Sequence, residues 1–93
     1  MSENNREFSF SHNAIEILSV YDEKHGTEFL PTLYQYVANE RNLVATAKVL
    51  FIHRNTLVYR IKRIMEIIGS DLESPEERAF IYFSMKMKFY EEK

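Results

Sequence analysis

Residues 53–63 read HRNTLVYRIKR, and their side chains are of kinds that do chemistry: His53, Asn55, Thr56, Tyr59 and the four cations Arg54, Arg60, Lys62 and Arg63. Two chemistries fit these residue types. A histidine, a tyrosine and arginines could serve phosphoryl transfer, as in recombinases that use Tyr, Arg and His. Cations interleaved with Asn, Thr and Tyr could equally grip a polyanion, charge neutralising phosphates while amide and hydroxyl groups offer directed hydrogen bonds. Spacing separates the two. Recombinase sites are assembled from distant segments of a much larger domain, whereas these residues are neighbours on one helix and point different ways. The chain also has no Gly-rich phosphate loop, no nucleophile elbow and no carboxylate pair with a reason to share a pocket. The expectation is a binding surface, not an enzyme.

A metal centre is not expected either. The three histidines, His12, His25 and His53, are far apart and lack ligand spacing, and there is no Cys, so neither a thiolate site nor a disulfide can form. No cofactor is implied. His53 is placed to cap the helix that follows it or to touch phosphate, and His25 to sit at a helix end, where a cation suits the dipole.

The formal net charge is −2, which by itself speaks against a polyanionic partner, but the charge is unevenly spread. Arg41, Lys48, Arg54, Arg60, Lys62 and Arg63 fall between Arg41 and Met65 with no Asp or Glu among them, a segment of +6 that leaves −8 on the remainder. Binding a polyanion needs a local positive surface, not a positive sum. The amino terminus, MSENNREFS, lacks the apolar core of a signal peptide. No apolar run approaches the roughly 18 residues of a membrane helix, so a cytoplasmic domain without membrane contact is expected.

The elements that must position this segment are helical. Ninety-three residues with 45% hydrophobic side chains, two Gly and two Pro suit one small helical core. Residues 1–10 read as a disordered lead and 11–93 as one domain. Ala14, Ile15, Leu18 and Tyr21 recur at helical spacing from about Ser11 to Lys24, and His25-Gly26 ends that helix. Thr27 is placed to cap a second helix reaching about Asn39, with Pro31 near its start and Phe29, Leu33, Tyr36 and Val37 as its buried stripe. Asn42 caps a short helix from about Leu43 to Leu50. A fourth runs from about Arg54 to Ile68 with Leu57, Ile61, Ile64, Met65 and Ile68 on one face, and Gly69 ends it. Ser74-Pro75-Glu76-Glu77 forms a capping box that opens a fifth helix to about Tyr90. The fold class is a compact all-α domain of five helices.

A short helix, a tight turn and an amphipathic helix make a helix-turn-helix, here at about residues 42–69, if a small residue, a turn apolar residue and an early apolar residue meet. Ala47, Ile52 and Leu57 fill those places. The outer side of the second helix then carries Arg54, Asn55, Tyr59, Lys62 and Arg63, and such a helix fits the major groove of double-stranded DNA. Arg54 and Asn55, at its amino-terminal end, suit guanine and adenine respectively as base readers. Thr46, Lys48, His53, Thr56, Tyr59, Arg60, Lys62 and Arg63 suit phosphate and backbone contacts that set register. Tyr59 and Arg60 could each turn instead toward the rim of the core. One departure stands out: Phe51 occupies the turn position where many such motifs place Gly, so a turn that avoids the left-handed backbone is expected.

The segment NLVATAKVLFIHRNTLVYRIKRIMEIIGSDLESPEERAFIYFSMKM resembles the carboxy-terminal helix-turn-helix domain of the PucR-type (purine catabolism regulator) family of bacterial transcription regulators, which includes the sugar-diacid regulators. Thr46-Ala47, His53-Arg54-Asn55-Thr56-Leu57, Tyr59-Arg60 and Gly69-x-Asp71-Leu72 before an acidic helix start carry the likeness. Upstream, YDEKHGTEFLPTLYQYV is similar to the family's preceding helices, so the likeness covers nearly everything after residue 12. A weaker likeness is to the carboxy-terminal part of the factor for inversion stimulation. The resemblance implies a DNA-binding output domain that sensory domains precede in that family; none is visible here, which makes the chain a fragment or an unusual stand-alone member. A homodimer is expected because helix-turn-helix proteins read half-sites about one helical turn apart. The rival expectation comes from the last helix, where AFIYFSMKMKFY is apolar on more than one face. That helix could serve an interaction or dimerisation module, its partner an acidic protein and its basic face incidental.

Overall fold

Helix periodicity and caps set the element order found in the computed structural model, which describes the backbone of residues 2–91 and the side chains of residues 13–88. The helices are α1 (Ser2–His25), α2 (Phe29–Ala38), α3 (Leu43–Leu50), α4 (Arg54–Ile68) and α5 (Pro75–Glu91), with no strand among the described residues. Helix α1 begins nine residues ahead of the Ser11 start expected from periodicity. No Gly or Pro precedes Gly26, so nothing in the backbone halts the helix toward its amino terminus. The expected lead at residues 1–10 is helical in backbone from Ser2, and Met1 and the side chains through His12 lie outside the described residues.

Gly26 ends α1 in the left-handed conformation (φ 67°), and its N–H and that of Thr27 both bond the Asp22 carbonyl, at 2.8 and 3.3 Å. The cap of α2 differs from expectation. Thr27 does not cap it; Glu28 holds the cap position without a side-chain bond, and Asp22 reaches over from α1. Its carboxylate accepts from the backbone N–H of Phe29 (2.9 Å) and Leu30 (2.8 Å) and from the Thr27 hydroxyl (2.5 Å). Pro31 has no N–H to satisfy, and Thr32 N–H bonds the Glu28 carbonyl at 3.2 Å. The two N–H groups that the first turn of α2 leaves open, those of Phe29 and Leu30, are thereby accounted for.

Helix α3 follows its sequence signals: the Asn42 side chain accepts from Ala45 N–H at 2.9 Å. The turn that follows overturns one expectation. Phe51 adopts the left-handed conformation (φ 57°, ψ 43°), and Ile52 N–H bonds the Ala47 carbonyl at 3.1 Å. Ala47 and Leu57 are buried and Ile52 packs against the same cluster. Burying three apolar residues across this turn outweighs the roughly 1–2 kcal/mol of a left-handed L-residue. The Phe51 side chain is left 93% exposed.

Helix α4 buries Leu57, Ile61, Ile64 and Ile68, each contributing about 2 kcal/mol, which fixes its rotation about its own axis. Gly69 closes it at φ 70°. The capping box of α5 is only half realised. Ser74 Oγ accepts from Glu77 N–H (3.2 Å), but the Glu77 carboxylate turns back to the Ser70 hydroxyl (2.8 Å). Helices α1, α2, α4 and α5 share the core, while among the described residues α3 packs on α2 and α4 alone. Such placement leaves the outer side of the α3–α4 pair open.

Candidate nucleic-acid interface

The buried stripe of α4 commits the remaining positions to its outside. Arg54, Asn55, Thr56, Tyr59, Lys62 and Glu66 are exposed; Asn55, Tyr59, Lys62 and Glu66 fall at i, i+4, i+7 and i+11, a single outer stripe. Tyr59, whose direction the sequence left open, points outward and is 61% exposed. At the start of the helix the His53 ring accepts from Asn55 N–H through Nδ1, at 3.2 Å. Lys48 is exposed on α3, one turn after exposed Val44.

Three sequence-predicted contacts are placed differently. Thr46 is fully buried, and its hydroxyl donates to the Asn42 carbonyl at 2.7 Å. It neighbours Ala47 on the inward side of α3, so the packing that makes the motif also takes the Thr46 side chain off the surface. Arg60 turns to the rim of the core and donates through Nη1 to Thr32 Oγ1 on α2 at 3.1 Å. Arg63 pairs with Glu66 (Nη1 to Oε1, 2.6 Å) and donates through Nη2 to the Tyr21 hydroxyl of α1 at 3.3 Å. Hydrogen bonds to Glu66 and then Tyr21 raise the guanidinium's pKa still further above its ordinary value.

The +6 segment is therefore partly spent inside the molecule. Arg41 pairs with Glu73 at 3.2 Å, and Arg63 with Glu66. Lys48, Arg54 and Lys62 are exposed with no ion-pair partner among the described residues. Glu66 sits three residues after Arg63, a helical ion-pair spacing legible in the sequence. Tyr21 and Thr32 carry no such signal, because only the tertiary arrangement brings α1 and α2 beside α4. The phosphoryl-transfer grouping does not assemble: His53 caps a helix, Tyr59 faces outward and Arg60 faces α2. Among the described residues no group of three His, Cys, Asp or Glu could hold a metal ion, and no helix is long and apolar enough to cross a membrane.

A short helix joined through a left-handed turn to a second helix, with open cations along the outer side, defines a helix-turn-helix domain. Residues 29–87 match the family model of the PucR C-terminal helix-turn-helix domain, and the chain belongs to that family. It is 33% identical over 87 residues, 94% of its length, to the proline-responsive transcriptional activator PutR of Bacillus subtilis (strain 168). Over 88 residues, 95% of its length, it is 30% identical to the DNA-binding transcriptional activator AdeR of the same organism. A shorter match of 56 residues, 60% of this chain and 14% of the relative, is 41% identical to the carbohydrate diacid regulator of Escherichia coli (strain K12). The chain spans about a fifth (21%) of the length of PutR and of AdeR. No solved structure matches it.

Proposed function

We propose that this domain binds double-stranded DNA sequence-specifically, with α4 in the major groove, as the output domain of a longer bacterial transcription regulator. The observation that carries the reading is open charge on the motif: Lys48, Arg54 and Lys62 lie exposed on its two helices, with no ion-pair partner among the described residues. Arg54 and Asn55, in the first turn of α4, read base edges, Arg suited to guanine and Asn to adenine. Lys48, His53, Thr56, Tyr59 and Lys62 hold phosphates and set register. The names of PutR and AdeR, both transcriptional activators, support the regulatory setting and a non-enzymatic role. Sensory domains elsewhere in the intact protein, a homodimer on a two-fold site and a cytoplasmic location complete the proposal.

Titrating the chain against promoter-derived duplexes at two salt concentrations tests it. With two phosphates neutralised, by Lys48 and Lys62, affinity should fall about twelvefold between 50 and 200 mM salt. Arg54→Ala should cost about 1–3 kcal/mol and relax preference at one base position, whereas Lys62→Ala should weaken all sequences alike and flatten the salt slope by about 0.9. Tight binding indifferent to salt, or no binding even by a dimerised form, would refute the proposal.

A further inference from the structure

Resting on the DNA-binding reading, we infer that Glu66 masks Arg63 and so ends the phosphate-gripping surface of α4 after Lys62. Glu66 lies on the same outer stripe as Asn55, Tyr59 and Lys62. At 1.5 Å of rise per residue it stands about 16 Å beyond Asn55, farther than the roughly 12 Å width of the major groove. A helix whose first turn reads base edges therefore carries Glu66 to the groove rim, where phosphates run. Arg63 would be the cation to meet them. Its guanidinium is instead held from two directions, by the Glu66 carboxylate at 2.6 Å through Nη1 and by the Tyr21 hydroxyl at 3.3 Å through Nη2. The second hold distinguishes this from an ordinary mobile surface pair. Tyr21 belongs to α1, so Arg63 is drawn back against the body of the domain with its side chain 35% exposed, while Glu66 is left 67% exposed on the outside.

The consequence is a specificity device. Phosphate contacts strengthen binding to every sequence equally, whereas base contacts discriminate. An acid that withholds one cation at the far end of the recognition helix lowers the sequence-independent share of affinity and leaves the contribution of Arg54 and Asn55 intact. Glu66 is thus a specificity-determining residue that touches no base.

The test is a double-variant cycle with Glu66→Gln and Arg63→Gln, read as the salt dependence of binding to an arbitrary duplex that contains no chosen site. Glu66→Gln should steepen the slope of log affinity against log salt by about 0.9, one further phosphate. Its gain over the wild type should then be about threefold larger at 50 mM than at 200 mM salt. Arg63→Gln alone should leave the slope near that of the wild type, and the double variant should lose the gain. The inference is overturned if Arg63→Gln alone flattens the slope by about 0.9, since Arg63 would already hold a phosphate. It is equally overturned if the gain from Glu66→Gln persists in the Arg63→Gln background, since Glu66 would then act only through its own charge. Wild-type chain that binds no duplex at low salt, even in a dimerised form, would instead bring down the DNA reading itself. Thermal unfolding of each variant checks that substituting exposed Glu66 or half-buried Arg63 leaves the fold in place.

Discussion

Replacing Phe51 by glycine should stabilise the domain, although it deletes a large apolar side chain. Phe51 holds the left-handed conformation at φ 57° and ψ 43° as the cap of α3. That conformation costs an L-residue about 1–2 kcal/mol, and Gly adopts it freely. Against this, Gly gives the unfolded chain extra freedom worth about 0.5–1 kcal/mol. The usual penalty for removing a Phe arises from lost burial and a cavity, and neither applies to a side chain that is 93% exposed. The balance is a gain of about 0.5–1 kcal/mol. For a domain of this size that corresponds to a midpoint rise of about 2–8 °C, measured by circular dichroism on heating and checked by urea titration. Phe51→Ala is the control: it removes the same exposed ring but keeps a Cβ, so the strain stays and the midpoint should remain close to the wild type. A lower midpoint for Phe51→Gly, or an equal rise for both variants, would refute the argument that backbone strain at this turn is opposed by the burial of Ala47, Ile52 and Leu57.

Other consequences can be measured with the same preparations. Asp22→Ala removes the acceptor for two α2 amides and the Thr27 hydroxyl and should cost about 2 kcal/mol, the upper end for a lost helix cap; a urea midpoint within error of the wild type would show that another group takes over. Thr46→Val replaces a fully buried hydroxyl already bonded within its own helix, so stability should change by no more than about 1 kcal/mol. DNA affinity should be unchanged in that variant, and a weaker complex with an intact fold would return Thr46 to the interface. Burial raises the pKa of the Tyr36 phenol above its ordinary value of 10.0, an effect that Arg41 opposes. A raised folded-state value means that the Tyr36 contribution is fully present below the unfolded value near 10 and is lost as pH rises through the folded one. Unfolding free energy should therefore decline above pH 10 in the wild type and decline less in Tyr36→Phe; identical profiles would exclude Tyr36 as the group responsible.

Much of the fold was legible because its signals are local. Asn42 capping α3, Gly69 closing α4 and the stripe Leu57, Ile61, Ile64 and Ile68 depend only on residues within a few turns, and they appear where periodicity and cap chemistry place them. The cap of α2 was not legible, because the group that performs it, Asp22, lies in another helix. Phe51 shows a different limit. Local preference argues against a left-handed Phe, and the packing of three residues around the turn prevails over it.

The amino-acid sequence by itself determined the five helices, the inward set of the helix-turn-helix and the acid-free segment from Arg41 to Met65, since helical periodicity, caps and charge are properties of neighbours. It could count the cations of that segment but not assign them. Tertiary structure decided which remain open: Arg60 is drawn to Thr32 on α2, Arg63 to Tyr21 on α1 beside Glu66, and Arg41 to Glu73 before α5. Lys48, Arg54 and Lys62 are left facing outward. Thr46 was decided the same way, turned inward by the packing that makes the motif. The physical reason is that a side chain's partners are set by which helices the buried faces bring together.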